Sequence, residues 1–311
     1  MANIKELSKI PERLSGGHRL CAGCGASIVV RQILMGTKDY VVAGSATGCL
    51  EVGTTIYPYT AWKIPFIHNA FENTAATMSG VETAYRALKK KGRINKEIKF
   101  VAFGGDGGSY DIGLQSLSGA LERGHKFVYV CYNNEAYMNT SVQRSGATPK
   151  GADTTTTPAG KESYGKVQFR KDLTSIVAAH RIPYVAQGSA SHWNDLVTKA
   201  EKAFNANGPA FLNVISMCHR GWRFPQEKTI EVSKLAVETG YWPLIEVENG
   251  VWRFTYKPKQ RKPLSEFLKT QGRFKHLFTE ENKHVIDELQ KEVDENWARL
   301  ENLCNSTCKV A

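Results

Sequence analysis

Two short polar motifs contain residues that could bind a metal-bound phosphate. The first is Gly105-Asp106-Gly107, and Asn133-Asn134 follows after 25 intervening residues. Mg²⁺ prefers oxygen ligands and is usually bound by one or two protein groups together with phosphate oxygens. Asp106 offers a carboxylate and Asn134 an amide oxygen, while the glycines let the backbone approach a phosphate without interference from Cβ atoms. This spacing favours a thiamine diphosphate site.

The surrounding sequence predicts elements that position these two motifs. Residues 97–103 have the composition of a buried strand, 113–123 that of a helix and 126–132 that of the next strand. Both motifs therefore fall at the carboxyl ends of successive strands, where open α/β sheets bind ligands. The alternative is a βαβ unit with glycine-rich turns and no cofactor.

Four cysteines form the second candidate site. Cys21 and Cys24 make a C-x-x-C motif, Cys49 follows after 24 intervening residues, and Cys218 lies far downstream. Four thiolates suit a tetrahedral zinc ion or an iron–sulfur cluster. A thioredoxin-like redox pair and simple buried thiols are the alternatives, but a third cysteine close to the motif favours a metal or cluster. The neighbouring thiamine site favours the cluster.

Composition and charge indicate an intracellular globular protein. The chain has 311 residues, 41% of them hydrophobic, and no apolar run of the roughly 18 residues that a membrane span needs. Its charged start, MANIKELSKI, predicts a cytoplasmic location and argues against disulfides. The net charge of +11 comes from scattered basic residues. It therefore favours acidic protein partners over nucleic acid.

The chain as a whole is organised as an α/β protein. Residues 1–16 form an arm, and a loop rich in Thr, Gly, Pro and Lys spans residues 145–164. We predict a cofactor- and cluster-binding domain at residues 1–224 and a partner-contacting C-terminal extension at 225–311. Cys304 and Cys308 are predicted to lie on a mobile tail with two free thiols. The remaining predicted helices are 25–35, 71–91, 171–180, 191–205 and 280–302, and the remaining strands are 40–44 and 210–216.

Long segments of the sequence resemble a known family. The chain is similar to the β subunit of the multi-subunit 2-oxoacid:ferredoxin oxidoreductases, of which pyruvate:ferredoxin oxidoreductase is the best known. The segments that carry the resemblance are GHRLCAGCG (17–25), ATGCLEV (46–52), IYPYTAW (56–62), HNAFENTAATMSG (68–80), GGDGGSYDIGLQSLSGALERGH (104–125) and NNEAYMNT (133–140).

The resemblance implies a fold and a set of site residues. The fold would be a thiamine-diphosphate-binding fold, with a mostly parallel sheet flanked by helices and a C-terminal extension. One [4Fe–4S] cluster would be bound by Cys21, Cys24, Cys49 and Cys218. Mg²⁺ would be bound by Asp106, Asn134 and the carbonyl of Ala136, and Asn139 would lie near the thiazolium and the substrate in a catalytic role. The residues implied to contact thiamine diphosphate are Gly48, His68, Gly105, Asp106, Gly107, Asn134, Ala136, Asn139 and Thr140. A structural role for His68 is an equal alternative.

The resemblance also implies an activity and partners. A small 2-oxoacid would be oxidatively decarboxylated, and the cluster would pass its electrons singly to ferredoxin. Sister subunits would supply the pyrimidine-binding domain, its glutamate and further clusters. Coenzyme A would accept the acyl group if the substrate is pyruvate, whereas oxalate would yield only CO₂.

Two positions depart from the family pattern. Asn133 stands where the family usually has Asp, and Ser141 where it usually has Gly. Ser141 adds a hydroxyl close to the expected substrate pocket. This change is either neutral or a sign of a polar substrate such as oxalate, so pyruvate and oxalate both remain open.

Two other functions remain as alternatives. One is a non-redox thiamine diphosphate decarboxylase in which the cysteines bind structural zinc. The other is a non-enzymatic binding or assembly module that keeps the fold. Iron content distinguishes the first alternative from the oxidoreductase, and bound cofactor distinguishes the second.

Overall fold

The computed structural model describes residues 3–307, and its centre is a single sheet of eight strands in the order β2-β1-β3-β4-β6-β5-β7-β8. The first six strands are parallel to one another, and β7 and β8 are antiparallel additions at one edge. The strands are β1 Tyr40–Ala46, β2 Phe66–Asn69, β3 Ile98–Gly105, β4 Val128–Asn133, β5 Tyr184–Ser189, β6 Ala210–Ile215, β7 Leu244–Glu248 and β8 Val251–Tyr256.

Helices cover both faces of the sheet. The helices are α1 Ile4–Leu7, α2 Gly25–Leu34, α3 Cys49–Thr54, α4 Thr74–Lys90, α5 Leu114–Glu122, α6 Leu173–Ala178, α7 Trp193–Asn205, α8 His219–Trp222, α9 Thr229–Glu238, α10 Leu264–Lys269 and α11 Lys283–Thr307. A π-helical turn at Gly108–Ile112 precedes α5, and 3₁₀ turns lie at Gln226–Lys228 and Gly272–Leu277. Within the described residues, no helix is both long and apolar enough to cross a bilayer.

The central strands are buried on both faces because helices pack against each. Along β4, Val128, Val130 and Tyr132 join the core beneath α2 and α7, while Tyr129 and Cys131 join the core beneath α4 and α5. This alternation follows from the two-residue period of side chains along a strand. Strands buried on both faces are apolar throughout, as expected for a parallel sheet.

The predicted α/β fold with a mostly parallel sheet is confirmed. The strands and helices predicted around both motifs are present, with ends that differ by a few residues. Sequence reasoning missed β2, β5, β7 and β8. The last two join the same sheet as the residues before 225, and a shared core contains Ile215 and Trp222 together with Phe267 and Leu289. Contact of residues 225–311 with a partner chain stays a prediction.

The prediction of a mobile tail was wrong for Cys304. That residue lies within α11 and is half-buried against the core beneath α4 and α5. The predicted helix ended at residue 302, whereas α11 continues to Thr307. It continues because its apolar face packs against β8. Cys308 lies outside the described residues.

Candidate functional site

Four neighbouring strands place the candidate residues at one edge of the sheet. The chain leaves β1 towards Cys49, β3 towards Asp106, β4 towards Asn134 and β6 towards Cys218. These strands are adjacent in the order β1-β3-β4-β6, and all are parallel. Because parallel strands end at the same edge, residues that are far apart in sequence meet in one cleft.

The cleft contains all the cofactor-binding residues predicted from the resemblance except His68. Its walls are formed by Thr47, Gly48, Cys49, Phe71, Gly105, Asp106, Gly107, Gly108, Tyr132, Asn134, Ala136, Tyr137, Met138, Asn139 and Thr140. The side chain of His68 is about half-exposed and lies behind Thr47, 3.1 Å from its hydroxyl, and 3.5 Å from Glu51. Sequence reasoning missed Phe71, Tyr132 and Tyr137, because aromatic residues in apolar segments give no signal of a site.

Asp106 is fully buried, and its carboxylate accepts hydrogen bonds from two loops. Oδ1 accepts from the backbone N–H of Asn134 at 3.1 Å, and Oδ2 accepts from the Ser145 hydroxyl. Burial raises the pKa of Asp106 to about 7, although both hydrogen bonds oppose this shift. A cation beside this carboxylate would offset the cost of burying its charge.

Two further oxygen-bearing groups, the Asn134 amide and the Ala136 carbonyl, lie next to this carboxylate. One terminal atom of the Asn134 amide lies 2.9 Å from Asp106 Oδ1 and 2.7 Å from the carbonyl oxygen of Ala136. If that atom is nitrogen, the amide donates to both oxygens. If it is oxygen, three oxygens face one another without an intervening proton, and such an arrangement requires a cation. The structure thus brings together the three groups predicted to bind Mg²⁺.

Close packing requires glycine at position 107 of the first motif. A Cβ atom on Gly107 would lie 2.2 Å from the ring of Tyr137, whose hydroxyl donates to the carbonyl of Gly107 at 2.9 Å. A side chain at this position would therefore displace Tyr137 from the wall of the cleft.

The four cysteines of the second candidate site lie close together beside this cleft. The C-x-x-C turn packs against the segment after β6, where Gly25 N–H donates to the carbonyl of Met217 at 3.1 Å. The pKa of Cys24 is raised to about 11 and that of Cys49 to about 12, mainly by burial and in part by the neighbouring thiols of Cys218 and Cys21. The thiols are therefore mutual neighbours.

The cysteine set is more open than a site for one ion. Among residues 3–307, no three His, Cys, Asp or Glu side chains are arranged to hold a single metal ion. A structural zinc site needs four ligands in closed tetrahedral contact with the ion. Cys21 is exposed, whereas Cys24, Cys49 and Cys218 are half-buried, so one side of the set faces outward.

The two sites share residues. Cys49 lines the cleft and belongs to the cysteine set, and Asn139 hydrogen-bonds to its thiol, which lowers the pKa of that thiol. Cys218 is the N-cap of α8, and Trp222 of that helix donates from Nε1 to the carbonyl of Asn134 at 2.8 Å. Asn139 was predicted to lie near the reacting end of the cofactor. The structure adds a contact between Asn139 and the Cys49 thiol, which the sequence did not reveal.

A buried ion-pair cluster fixes the loop that carries Asn134 and Ala136. Glu135 lies between them with φ +65° and no exposed surface. Its carboxylate pairs with Arg273 at 2.5 Å and Arg170 at 3.5 Å, and accepts from the Tyr241 hydroxyl at 2.5 Å. Glu135 is therefore a structural anchor rather than an acid–base group of the cleft.

Ser141 lies outside the cleft. Its side chain is exposed, and its backbone has φ +92°, a conformation that favours glycine. The glycine usual at this position in the family is explained by this backbone conformation. Asn133, the other departure, is buried, and its amide donates to the Tyr110 hydroxyl at 3.0 Å.

Comparison with known proteins agrees with this geometry. Residues 46–214 match the family described as thiamine pyrophosphate enzyme, C-terminal TPP binding domain. The pyruvate synthase subunit PorB of Thermotoga maritima is 59% identical over 308 residues, covering 96% of this chain and 95% of the relative. This chain is a β subunit of the 2-oxoacid:ferredoxin oxidoreductase family. It therefore works as part of a multi-subunit enzyme.

Further relatives include one with the same name and others that are named for a different substrate. PorB of Methanocaldococcus jannaschii is 53% identical over 93% of this chain and 96% of its own length. The ketoisovalerate oxidoreductase subunit VorB of Pyrococcus furiosus is 44% identical over 97% of both chains. Among solved structures, a 2-oxoglutarate:ferredoxin oxidoreductase from Magnetococcus marinus matches with a TM-score of 0.58 and 20% identity, covering 88% of this chain and 93% of that one. This last likeness shows the fold alone.

The Glu135 anchor generates a stability prediction. Arg273→Met should lower the free energy of unfolding by about 3–5 kcal/mol, because it leaves a buried carboxylate without its main partner. Denaturant unfolding of the purified chain measures this loss. In the control Arg253→Met, an exposed arginine 3.5 Å from Glu248 is removed, and the loss should stay below about 1 kcal/mol. Equal losses in the two variants would contradict the anchor.

Proposed function

We propose that this chain is the cofactor- and cluster-binding subunit of an enzyme that oxidatively decarboxylates pyruvate and passes the electrons to ferredoxin. The observation that carries the proposal is that one cleft is lined both by Cys49 and by the predicted Mg²⁺ site, which consists of the Asp106 carboxylate, the Asn134 amide and the Ala136 carbonyl. Pyruvate is favoured over ketoisovalerate because the PorB relatives are more similar than VorB.

Asp106, Asn134 and the carbonyl of Ala136 bind Mg²⁺ in this proposal. Mg²⁺ keeps oxygen ligands at about 2.0–2.1 Å, so adjacent ligands of an octahedron lie about 2.9 Å apart. The separations of 2.7 and 2.9 Å at Asn134 match that geometry. The Asn134 amide then points its oxygen inward, and phosphate oxygens of the cofactor complete the coordination.

Thiamine diphosphate itself supplies the electron sink for decarboxylation. This chain holds its diphosphate end, and Tyr137 and Phe71 exclude water from the walls of the cleft. Asn139, which is exposed towards the open side of the cleft, orients the substrate, and Gly48 and Thr140 line its approach. The glutamate that the aminopyrimidine needs comes from a sister subunit.

Cys21, Cys24, Cys49 and Cys218 bind one [4Fe–4S] cluster. Burial raises the pKa of Cys24 to about 11, so neutral thiols predominate until iron replaces their protons. A cluster is larger than a single ion and suits an open thiol set better than zinc does. Cys21 is exposed, so a cluster held by these thiols would lie near the surface, where it could supply one-electron transfer to sister subunits and ferredoxin.

The metal ligand can be tested by calorimetry. Asp106→Asn keeps the shape of the side chain but removes its charge, so the affinity for thiamine diphosphate in the presence of Mg²⁺ should fall at least tenfold. Asp172→Asn is the control, because Asp172 is half-exposed and paired with Arg299. Unchanged affinity in Asp106→Asn would remove Asp106 from the ligand set.

The cluster ligands can be tested by iron analysis of the complex. Cys49→Ala should lose one cluster's iron and the electron transfer that depends on it, while thiamine diphosphate still binds. Cys131→Ala is the matched control, because Cys131 is fully buried in β4 and outside the set. Full iron content in Cys49→Ala, or zinc in place of iron in the unaltered complex, would refute the proposed cluster.

The activity can be tested with a substrate panel. The full complex should reduce a viologen dye fastest with pyruvate and coenzyme A, more slowly with 2-oxoisovalerate, and little with oxalate. Ser141→Gly should leave the ratio of rates unchanged, because the Ser141 side chain does not line the cleft. A higher rate with another oxoacid would overturn the assignment of pyruvate. A changed ratio of rates in Ser141→Gly would show that Ser141 contributes to substrate selection.

A further inference from the structure

The hydroxyl of Tyr132 is a buried donor without a partner. Its side chain is 1% exposed, and among residues 3–307 the hydroxyl has no hydrogen-bond partner. Other buried tyrosines at this end of the sheet are satisfied: the Tyr129 hydroxyl lies 3.0 Å from Ser109, and the Tyr110 hydroxyl accepts from Asn133 and Asn213. An unsatisfied buried hydroxyl costs about 1–3 kcal/mol, so such a group in a folded protein calls for an explanation.

The hydroxyl lies where β1 and β3 end. A Cβ atom on Gly48 would be 2.7 Å from the hydroxyl oxygen, and one on Gly105 would be 3.4 Å away. Both glycines line the cleft together with Tyr132 and Cys49. The absence of side chains at these two positions leaves room for the hydroxyl between the cysteine set and the predicted Mg²⁺ site.

The surroundings favour the cysteine side. Tyr132 projects from β4 into the core beneath α2 and α7, the face on which Leu50 of α3 and Cys24 also pack. Gly48, whose Cβ position is the nearer of the two to the hydroxyl, directly precedes Cys49, whereas the more distant Gly105 precedes Asp106. A phenol is protonated at neutral pH, so the hydroxyl can only donate to an anionic neighbour.

We propose that the Tyr132 hydroxyl donates a hydrogen bond to the sulfur of Cys49 when that residue binds the cluster, and that this bond raises the reduction potential of the cluster. The inference rests on the proposed function, in which Cys49 is a cluster ligand. Reduction adds negative charge to the sulfurs, so a donor at one of them stabilises the reduced form more than the oxidised form. Tyr132 is thus a residue that tunes electron transfer without touching the substrate.

The position of the donor is fixed by the strand. β4 is paired with β3 on one side and β6 on the other, so the backbone of Tyr132 cannot shift without breaking both ladders. Asn139 supplies a second polar contact to the same sulfur from an exposed loop. Of the two contacts, the one from Tyr132 is therefore the one whose position the sheet fixes.

Tyr132→Phe in the assembled complex tests the proposal. Potentiometric titration followed by electron paramagnetic resonance should show a lower potential for this cluster, with up to about a tenfold change in the ratio of oxidised to reduced cluster, equal to about 59 mV for one electron. The signal is assigned by its loss in Cys49→Ala. Calorimetry should give the same thiamine diphosphate affinity as the unaltered complex.

Tyr129→Phe is the matched control. It removes a buried hydroxyl from the same strand, but on the opposite face and away from Cys49. Its cluster should have the potential of the unaltered complex, and a drop equal to that of Tyr132→Phe would show general loosening of β4 and overturn the proposal.

Three further outcomes would also overturn the proposal. An unchanged potential with weaker cofactor binding in Tyr132→Phe would make the hydroxyl a donor to the diphosphate. No change in either quantity would leave it a packing residue. Retention of every iron–sulfur signal in Cys49→Ala would refute the ligand set of the proposed function itself. This failure can be told apart from failure of the present inference because Tyr132 is unchanged in that variant.

Discussion

The carboxylate of Glu135 is the point on which the geometry of the cleft depends. A non-glycine residue at φ +65° is strained, and a fully buried carboxylate is costly, so both features need compensation from their surroundings. Arg273 and Arg170 supply the charge, and each also stacks on an aromatic ring, Trp222 for Arg273 and Tyr241 for Arg170. The C-terminal part of the chain therefore fixes the loop that follows β4.

That constraint links the two candidate sites. The reversed backbone at Glu135 turns Asn134 and Ala136 towards Asp106, and Trp222 of the helix capped by Cys218 donates to the carbonyl of Asn134. Ser145, the first residue of the long loop, supplies the other hydrogen bond to Asp106. The three groups predicted to bind Mg²⁺ and the cysteine set are thus parts of one packed unit.

The sequence predicted the candidate site better than it predicted the residues that support it. Asp106, Asn134 and the cysteines were singled out because their types and positions have a direct chemical meaning, and the structure brings them together at one edge of the sheet. Arg273 was not identified because its partner Glu135 lies 138 positions earlier in the sequence. Tyr132 was not identified because it belongs to an apolar strand. Neither role has a local pattern.

The fold was predictable to a similar extent. Strands β3, β4 and β6 are continuous apolar runs, and their neighbouring helices are amphipathic, so local composition identifies them. β5 and β7 were missed because they are defined by pairing with distant strands rather than by their own sequence. The departure from glycine at Ser141 could be interpreted only once its positive φ angle was known, and amino-acid composition does not give that angle.

The strand order also determines when the protein can become functional during its synthesis. β6, formed by residues 210–215, lies between β4 and β5, which are made earlier. A ribosome that has released only the first two hundred residues therefore presents a sheet with a gap at its centre, and Cys218 has not yet emerged. Arg273 follows later still. The candidate site is consequently complete only after nearly the whole chain has been translated, so the timing of its assembly is set by the strand order rather than by the order of its residues along the chain.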